Sequence, residues 1–161
     1  MAAMTDDDRA RELWEQGTKL LMEGQFDEAL QLFEQSITVK PTAEGYTFHG
    51  WALAYLGRLD EAIENCKTAI EIDPDFGDPY NDIGVYLIQK GQLDHDVPWL
   101  EKAKLARRYE PRHYPCANLG SIYERKGRWR EAIREYKEAL QYEPKYETAL
   151  RALARLRAQM N

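Results

Sequence analysis

Apolar residues recur along the chain at the three- and four-residue spacing of an amphipathic helix, and glycine interrupts the pattern at short intervals. Around Gly24 the apolar positions are Leu13, Leu20, Leu21, Phe26, Leu30, Phe33 and Ile37. This pattern predicts two amphipathic helices of about fourteen residues joined by a tight turn. The runs do not read as β-strands, because apolar and polar positions fail to alternate and the runs are too long.

The helix–turn–helix pattern occurs four times, marked by paired glycines. The first glycine of each pair recurs at intervals of 33, 34 and 36 residues, and the second follows it by seven. The pairs are Gly17 and Gly24, Gly50 and Gly57, Gly84 and Gly91, and Gly120 and Gly127. Prolines keep the same period, at Pro41, Pro74, Pro111 and Pro144. We therefore expect function on a stacked surface and not in one catalytic pocket.

The two glycines of a pair have different predicted roles. The second supplies a helix C-cap with positive φ, and Asp27, Asp60 and Asp94 follow it as predicted N-caps of the next helix. The first lies inside a helix, where glycine costs about 1 kcal/mol relative to alanine. A small residue usually stands twelve positions later, as Ala29 does after Gly17, which predicts close helix packing of small on small.

Written as G-x2-[LY]…G…A-x3-[FYLC]-x2-A…P, the unit resembles the tetratricopeptide repeat, and the match covers residues 10–144. The resemblance implies an all-α fold, an α-solenoid with a right-handed superhelix of antiparallel helix pairs. It also implies one domain over residues 1–161. The expected repeats are about 10–42, 43–76, 77–111 and 112–144, followed by a capping helix at 145–160.

The third unit and the chain ends depart from this pattern. In the third unit Asp96 replaces the small residue, Pro98 lies just inside the second helix, and three residues are added before Pro111. These changes predict an irregular helix start and a helix longer by nearly a turn, about 4.5 Å. Thr5 is the predicted first N-cap. In the last helix the predicted inward residues are Leu150, Leu153, Leu156 and Met160.

The net charge of −6 is unevenly distributed. Residues 1–76 carry 16 acids and 6 bases, whereas residues 112–161 carry 6 acids and 11 bases. Solvated helix surfaces are the favoured interpretation, with head-to-tail self-assembly as the alternative. The acidic start, the lack of a bilayer-length apolar run and two cysteines at apolar positions, Cys66 and Cys116, favour the cytoplasm over a membrane or secreted setting.

Candidate chemistry is sparse. Asp94, His95 and Asp96 are consecutive on a helix start, which favours capping over metal binding, and the cysteines have no evident base partner. We therefore predict no enzyme and no cofactor. Basic residues surround Trp129, but intervening glutamates and a pI near 5.2 disfavour nucleic acid. These basic residues are Arg125, Lys126, Arg128 and Arg130.

The family resemblance implies that the first helices of the repeats line a concave groove that binds extended peptides of other proteins. The predicted anchors there are Trp14, Phe48, Trp51 and Tyr55, with Asn81, Asp82 and Asn118 as polar contacts. For Trp51 and Tyr55, packing between repeats is an equal alternative. Because Asp78 and Asp82 are acidic, we predict a neutral or basic partner that inserts an apolar side chain as its anchor.

One variant of the family is disfavoured. Co-chaperones that grip an acidic C-terminal tail use lysine, asparagine and arginine in the groove. At the corresponding places this chain has Trp14, Thr18, Phe48, Asp78 and Asp82. The prediction is therefore a non-catalytic protein-interaction scaffold. The alternative is a self-assembling structural module whose acidic N-terminal and basic C-terminal ends attract one another.

Overall fold

Residues 3–160, which the computed structural model describes, fold into α-helices joined by short turns. The helices are α1 (Asp6–Met22), α2 (Phe26–Val39), α3 (Ala43–Tyr55), α4 (Leu59–Ile72), α5 (Asp78–Gln89), α6 (Val97–Leu105), α7 (His113–Arg125), α8 (Trp129–Tyr142) and α9 (Glu147–Met160). The predicted all-α class built from helix pairs is confirmed. Within these residues, no helix has the length and apolar character needed to cross a bilayer.

The chain divides into two compact units, one ending at Pro79 and one beginning at Tyr80. In the first unit, α1 packs on α2, α2 on α3, and α3 on α4. In the second, α6 packs on α7, α7 on α8, and α8 on α9. Consecutive helices are therefore neighbours in space within each unit. The single domain of four repeats and a cap stays a prediction.

The turn glycines have the backbone conformation that the sequence predicts. Gly24, Gly57, Gly91 and Gly127 have φ of 79°, 79°, 74° and 69°. The predicted aspartate N-caps are wrong. The N-caps of α2 and α4 are Gln25 and Arg58, and neither makes a side-chain capping hydrogen bond. Asp27 and Asp60 instead lie in the first helical turn, where a carboxylate favours the positive end of the helix dipole.

The glycines inside the first helices face the residue sixteen positions later, and the prediction of small on small is largely wrong. A Cβ atom on Gly17 would lie 2.8 Å from Phe33 Cε1, and one on Gly120 would lie 2.8 Å from Tyr136 Cε1. Phe33 and Tyr136 are buried, as is Leu100 opposite Gly84. At Gly50 the nearest atom is the Ala62 carbonyl oxygen, at 3.3 Å. Glycine thus makes room for a large side chain of the partner helix.

The second helix of the third pair, α6, is shorter than predicted. It has 9 residues, against 14 in α2, α4 and α8. The irregular start at Pro98 is confirmed, but the predicted extension by nearly a turn is wrong. The helix ends at Leu105, and the added residues follow it as a non-helical segment. The Arg112 guanidinium donates to the carbonyl oxygens of Lys104 and Ala106 at 3.0 and 2.7 Å. These bonds hold the segment against the end of α6.

Asp96 is fully buried at the start of α6, at the position that alanine occupies in the other pairs. Both of its carboxylate oxygens lack a hydrogen-bond partner among the described residues, and no side-chain capping bond forms. Burial raises the pKa of the Asp96 carboxyl group above its ordinary value. Asp96 is thus the N-cap residue of α6 by position, but its side chain makes no capping bond, and this buried carboxyl group weakens the fold at neutral pH.

The two chain ends give one confirmed prediction and one partial error. Thr5 caps α1, since its hydroxyl oxygen accepts from the Asp8 N–H at 3.1 Å and Asp8 accepts from the Thr5 N–H at 3.2 Å. In α9, Leu153 and Leu156 are buried as predicted. Leu150 and Met160 are 46% and 60% exposed, so their predicted inward orientation is wrong. Ala149 and Ala152 take the inner positions instead.

We expect Gly17→Ala to destabilise the first unit by about 1–3 kcal/mol, because the new methyl group overlaps the buried ring of Phe33. Urea unfolding followed by circular dichroism measures the change. The control is Gly17→Ala combined with Phe33→Leu, in which the smaller side chain reduces the overlap, so its cost should be less than the sum of the two single changes. A Gly17→Ala protein as stable as the wild type would contradict this account.

We expect Asp96→Ala to raise the free energy of unfolding at pH 7 by about 1–3 kcal/mol, because it removes a buried carboxyl group without partners. A raised pKa in the folded state makes this group increasingly destabilising as the pH rises above its ordinary value of 3.8. The advantage of the variant should therefore shrink below that pH. Asp94→Ala is the matched control, because Asp94 is exposed and pairs with Lys126 at 2.9 Å. Equal effects of the two substitutions would refute the argument.

Candidate functional site

Three of the predicted anchor residues come together in the first unit. Trp14 lies on α1, and Phe48 and Trp51 lie one turn apart on α3. The ring centroids of Trp14 and Phe48 are 4.9 Å apart at an interplanar angle of 73°. Those of Phe48 and Trp51 are 4.3 Å apart. These edge-to-face and tilted contacts are favourable geometries for aromatic pairs and join the two first helices of the unit.

This aromatic group is partly core and partly surface. Its rings pack on the buried side chains of Leu21 and Phe33, with Phe33 and Phe48 centroids 5.9 Å apart. Trp14, Phe48 and Trp51 nevertheless remain partly accessible. Of the two alternatives for Trp51, packing between helices is therefore observed, and the anchor role stays a prediction.

A cavity of about 300 Å³ lies beside Trp14. Its lining comes from α1, the end of α2 and the start of α3: Asp7, Ala10, Arg11, Trp14, Ser36, Lys40, Thr42 and Glu44. The Ser36 hydroxyl is already used, since it donates to the Ala10 carbonyl at 2.7 Å. Trp14 Nε1 is buried and has no hydrogen-bond acceptor among the described residues. A buried donor without an acceptor costs free energy, so a ligand that brings an acceptor to this N–H would be favoured.

Tyr55, the fourth predicted anchor, makes a different contact. Its ring stacks on Phe26, with centroids 4.7 Å apart and planes 3° from parallel. Phe26 is the first residue of α2 and Tyr55 the last of α3, so the stack lies at the turn end of these helices. Tyr55 is 65% exposed, and its ring is available as surface.

The polar residues of the predicted groove belong to the second unit. Asn118 Nδ2 on α7 donates to Asn81 Oδ1 on α5 at 3.1 Å. Asn81 is buried, whereas Asn118 is half-buried, as is Asp82, which follows Asn81 in the sequence. Each amide keeps further donor or acceptor capacity after this bond. The predicted residues thus divide into an aromatic group in the first unit and an amide–carboxylate group in the second.

The side chains with potential reactivity are buried or hydrogen-bonded. Cys66 and Cys116 are buried and form no disulfide among the described residues, as the sequence indicates. His49 Nδ1 and Asn65 Oδ1 are 2.8 Å apart, which joins α3 to α4. Burial raises the pKa of the Cys116 thiol to about 12, so it stays protonated and weakly nucleophilic at neutral pH.

A buried ion cluster in the second unit was not predicted from the sequence. Lys104 Nζ on α6 lies 3.0 Å from Glu135 Oε2 and 3.1 Å from Glu138 Oε2, both on α8. The side chains of Lys104 and Glu135 are only 12% and 5% exposed. Burial lowers the pKa of Lys104, but its hydrogen bonds to the two glutamates outweigh this and raise it; burial raises the pKa of Glu135. The one sequence signal was Glu135, a charged residue beside the apolar stripe of α8.

The same cluster has the ligand types of a metal site. Donor atoms of Cys116, Glu135 and Glu138 lie within 4.8 Å of one another. The Lys104 ammonium, however, already supplies the positive charge at hydrogen-bonding distance from both carboxylates. One cation therefore lies between the two carboxylates, and this contact ties α6 to α8.

Helix pairs with a glycine turn, repeated along the chain, define a helical-repeat protein of the solenoid class. Two stretches, residues 43–76 and 113–146, match the family model described as tetratricopeptide repeat. Among solved structures, PilF of Pseudomonas aeruginosa superimposes with a TM-score of 0.90 at 16% identity, covering 96% of this chain and 70% of that one. A thermophilic TPR protein of Thermus thermophilus superimposes with a TM-score of 0.76 at 25% identity, covering 94% of this chain and 83% of that one.

Curated relatives give the same family. The Hsp70-Hsp90 organising protein of Plasmodium falciparum is 32% identical over 102 residues, 63% of this chain and 38% of the relative. The inactive TPR repeat-containing thioredoxin TTL3 of Arabidopsis thaliana is 24% identical over 142 residues, 80% of this chain and 20% of the relative. The chain is a tetratricopeptide repeat protein. It spans at most 38% of the length of these two relatives, and the count of four repeats stays a prediction.

We expect Lys104→Met to destabilise the second unit by about 3–5 kcal/mol, because it leaves two carboxylates near one another without their cation. Thermal unfolding at pH 7 measures the loss. The control is Lys67→Met, which removes a lysine from an exposed i,i+3 pair with Glu64 and should change stability little. If both variants lose the same stability, the cluster does not have the structural role assigned to it.

Proposed function

We propose that this protein is a non-catalytic interaction module that binds a peptide segment of another protein at the aromatic group of its first unit. Tetratricopeptide repeat proteins are generally non-catalytic interaction scaffolds, and one relative is named for organising Hsp70 and Hsp90. Two buried cysteines outside any disulfide suit a reducing compartment, so the cytoplasm is part of this proposal.

The observation that carries the proposal is the unused indole N–H of Trp14 beside a cavity of about 300 Å³. A cavity of this size accommodates one apolar side chain. A backbone carbonyl of the same peptide would accept from Trp14 Nε1 and satisfy the buried donor. Phe48 and Trp51 extend the apolar contact along α3.

The charges around the cavity favour a neutral segment. Arg11 pairs with Asp8 at 3.1 Å, and Lys40 pairs with Asp7. Because acids and bases at the rim are matched, neither sign of ligand charge is selected there. This agrees with the predicted neutral or basic partner and gives no cationic clamp for an acidic chaperone tail. We expect a Kd in the micromolar range for such a peptide, which corresponds to a binding free energy of about −8 kcal/mol.

In the second unit, we propose Asn81, Asp82 and Asn118 as polar contacts for an extended segment. The Asn118–Asn81 hydrogen bond fixes both amides, so a peptide would meet them already oriented. The remaining amide donors and acceptors match the N–H and C=O groups of a peptide backbone.

Self-assembly is the second candidate function, favoured by the charge distribution. Residues 1–76 have a net charge of −10 and residues 112–161 a net charge of +5. Opposite charges on different parts of one chain attract neighbouring copies. Light scattering at low and high salt separates the two candidates: an oligomer that dissociates at high salt favours assembly, and a monomer at every salt concentration excludes it.

We expect Trp14→Phe to weaken peptide binding about three- to tenfold, because it keeps the ring but removes the N–H donor. Trp14→Ala should weaken it further. Peptides are selected from a random phage-displayed library on the wild-type protein, and their affinities are measured by fluorescence anisotropy. Circular dichroism confirms that each variant is folded.

Trp99→Phe is the matched control, because it makes the same chemical change at a partly buried tryptophan of the second unit. It should leave the affinities of the selected peptides within twofold of the wild type. The proposal fails if the library yields no peptide, or if the peptides bind Trp14→Ala as tightly as the wild type.

A further inference from the structure

The second unit has a surface pocket of different chemistry, with a volume of about 420 Å³. It is lined by Ser121, Glu124, Arg125, Trp129, Arg155 and Gln159, which lie on α7, at the first residue of α8 and on α9. Two guanidinium groups and one indole therefore share a small concave site. None of these residues is among the predicted anchors and polar contacts of the peptide groove.

One guanidinium of the pocket is held in place. Arg155 Nε and Nη2 donate to Glu124 Oε1 at 3.1 and 2.9 Å. Glu124 is fixed in turn, because its Oε2 accepts from the Tyr136 hydroxyl at 3.0 Å. The Arg155 side chain is 50% exposed, so part of it stays accessible to a ligand. A charged donor that is already oriented loses little entropy on binding.

The other cation of the pocket has no ion pair. Arg125 is exposed and makes no salt bridge with any residue in the described part of the chain. Its neighbours differ, since Lys126 pairs with Asp94 at 2.9 Å and Arg128 pairs with Glu131 at 2.9 Å. Trp129 is 43% exposed although tryptophan is usually well buried. An unpaired arginine beside an exposed tryptophan is the residue combination of interface hot spots.

We propose that this pocket binds an acidic peptide segment of a partner protein. A carboxylate of the segment lies between the guanidinium groups of Arg125 and Arg155, which form charge-assisted hydrogen bonds with it. An apolar side chain next to that carboxylate packs on Trp129. The net charge of +5 over residues 112–161 attracts such a segment from solution.

The pairing of the neighbouring bases favours a peptide over a nucleic acid. A polyanion needs a row of unpaired cations along its backbone, because its affinity comes from neutralising several phosphates. Here Lys126 and Arg128 are already neutralised by Asp94 and Glu131, and Glu124 adds a negative charge inside the pocket. With Arg125 and Arg155 positive and Glu124 negative, the pocket has a net charge of +1, which suits a single carboxylate.

The experiment measures binding of a short, end-blocked, fluorescein-labelled peptide of alternating glutamate and leucine to the full chain by anisotropy. A glutamine–leucine peptide and oligo(dT) of similar length are the comparison probes. We expect a Kd of about 10–100 µM for the acidic peptide, and at least about tenfold weaker binding for the neutral one. Arg125→Ala and Trp129→Ala should each weaken the acidic peptide about tenfold, or about 1.4 kcal/mol.

Lys137→Ala is the matched control, because Lys137 is an exposed base of α8 that lies outside this pocket. It should change the affinity less than twofold. Equal losses for Lys137→Ala and Arg125→Ala would show that only the diffuse positive field acts, and tighter binding of oligo(dT) would identify a nucleic-acid site. Absence of binding at about 1 mM also overturns the proposal. Trp14→Phe should leave this affinity unchanged, so the two binding proposals fail independently.

Discussion

The close approach of paired helices at a glycine is the contact on which the rest of the structure depends. Opposite Gly17, Gly84 and Gly120, a Cβ atom would lie 2.8, 2.5 and 2.8 Å from Phe33, Leu100 and Tyr136. Each glycine gives up about 1 kcal/mol of helix propensity, whereas full burial of a large apolar side chain returns about 1.5–3 kcal/mol. Burial of the large side chain therefore outweighs the cost of the glycine, and the glycine sets how closely the second helix approaches the first.

This contact also determines which residues become surface. Because the large residue from the second helix occupies the glycine face, the first helix must present its other faces to its neighbours or to solvent. In the first unit those faces carry Trp14, Phe48 and Trp51, which are too bulky to be covered by one neighbouring helix and remain half-buried. In the second unit the corresponding region carries Asn81 and Asn118, which share one hydrogen bond and keep further donor and acceptor capacity. The corresponding regions of the two units therefore differ in chemistry.

The sequence predicted the features that depend on local periodicity and missed those that depend on the neighbouring helix. Turn glycines, helix pairs and the Thr5 cap follow from spacing alone. The length of α6 does not follow from spacing, because Arg112 binds the carbonyl oxygens at the end of that helix. The exposure of Leu150 does not follow either, because several neighbouring positions in α9 are apolar and only some of them face the core. The cation of the Lys104 cluster lies 31 residues from Glu135, so no motif joins them. In the candidate site, the aromatic residues were predictable, whereas the unused N–H of Trp14 was not.

The charge distribution gives the two proposed surfaces different partners. An acidic segment is repelled by the net charge of −10 over residues 1–76 and attracted by the net charge of +5 over residues 112–161. A neutral apolar segment is indifferent to both fields and is selected by shape and by the Trp14 donor. Because the rim charges near Trp14 are paired among themselves, adding salt would leave the proposed neutral ligand bound and would weaken the proposed acidic one. Ionic strength would therefore distinguish the two proposed kinds of recognition.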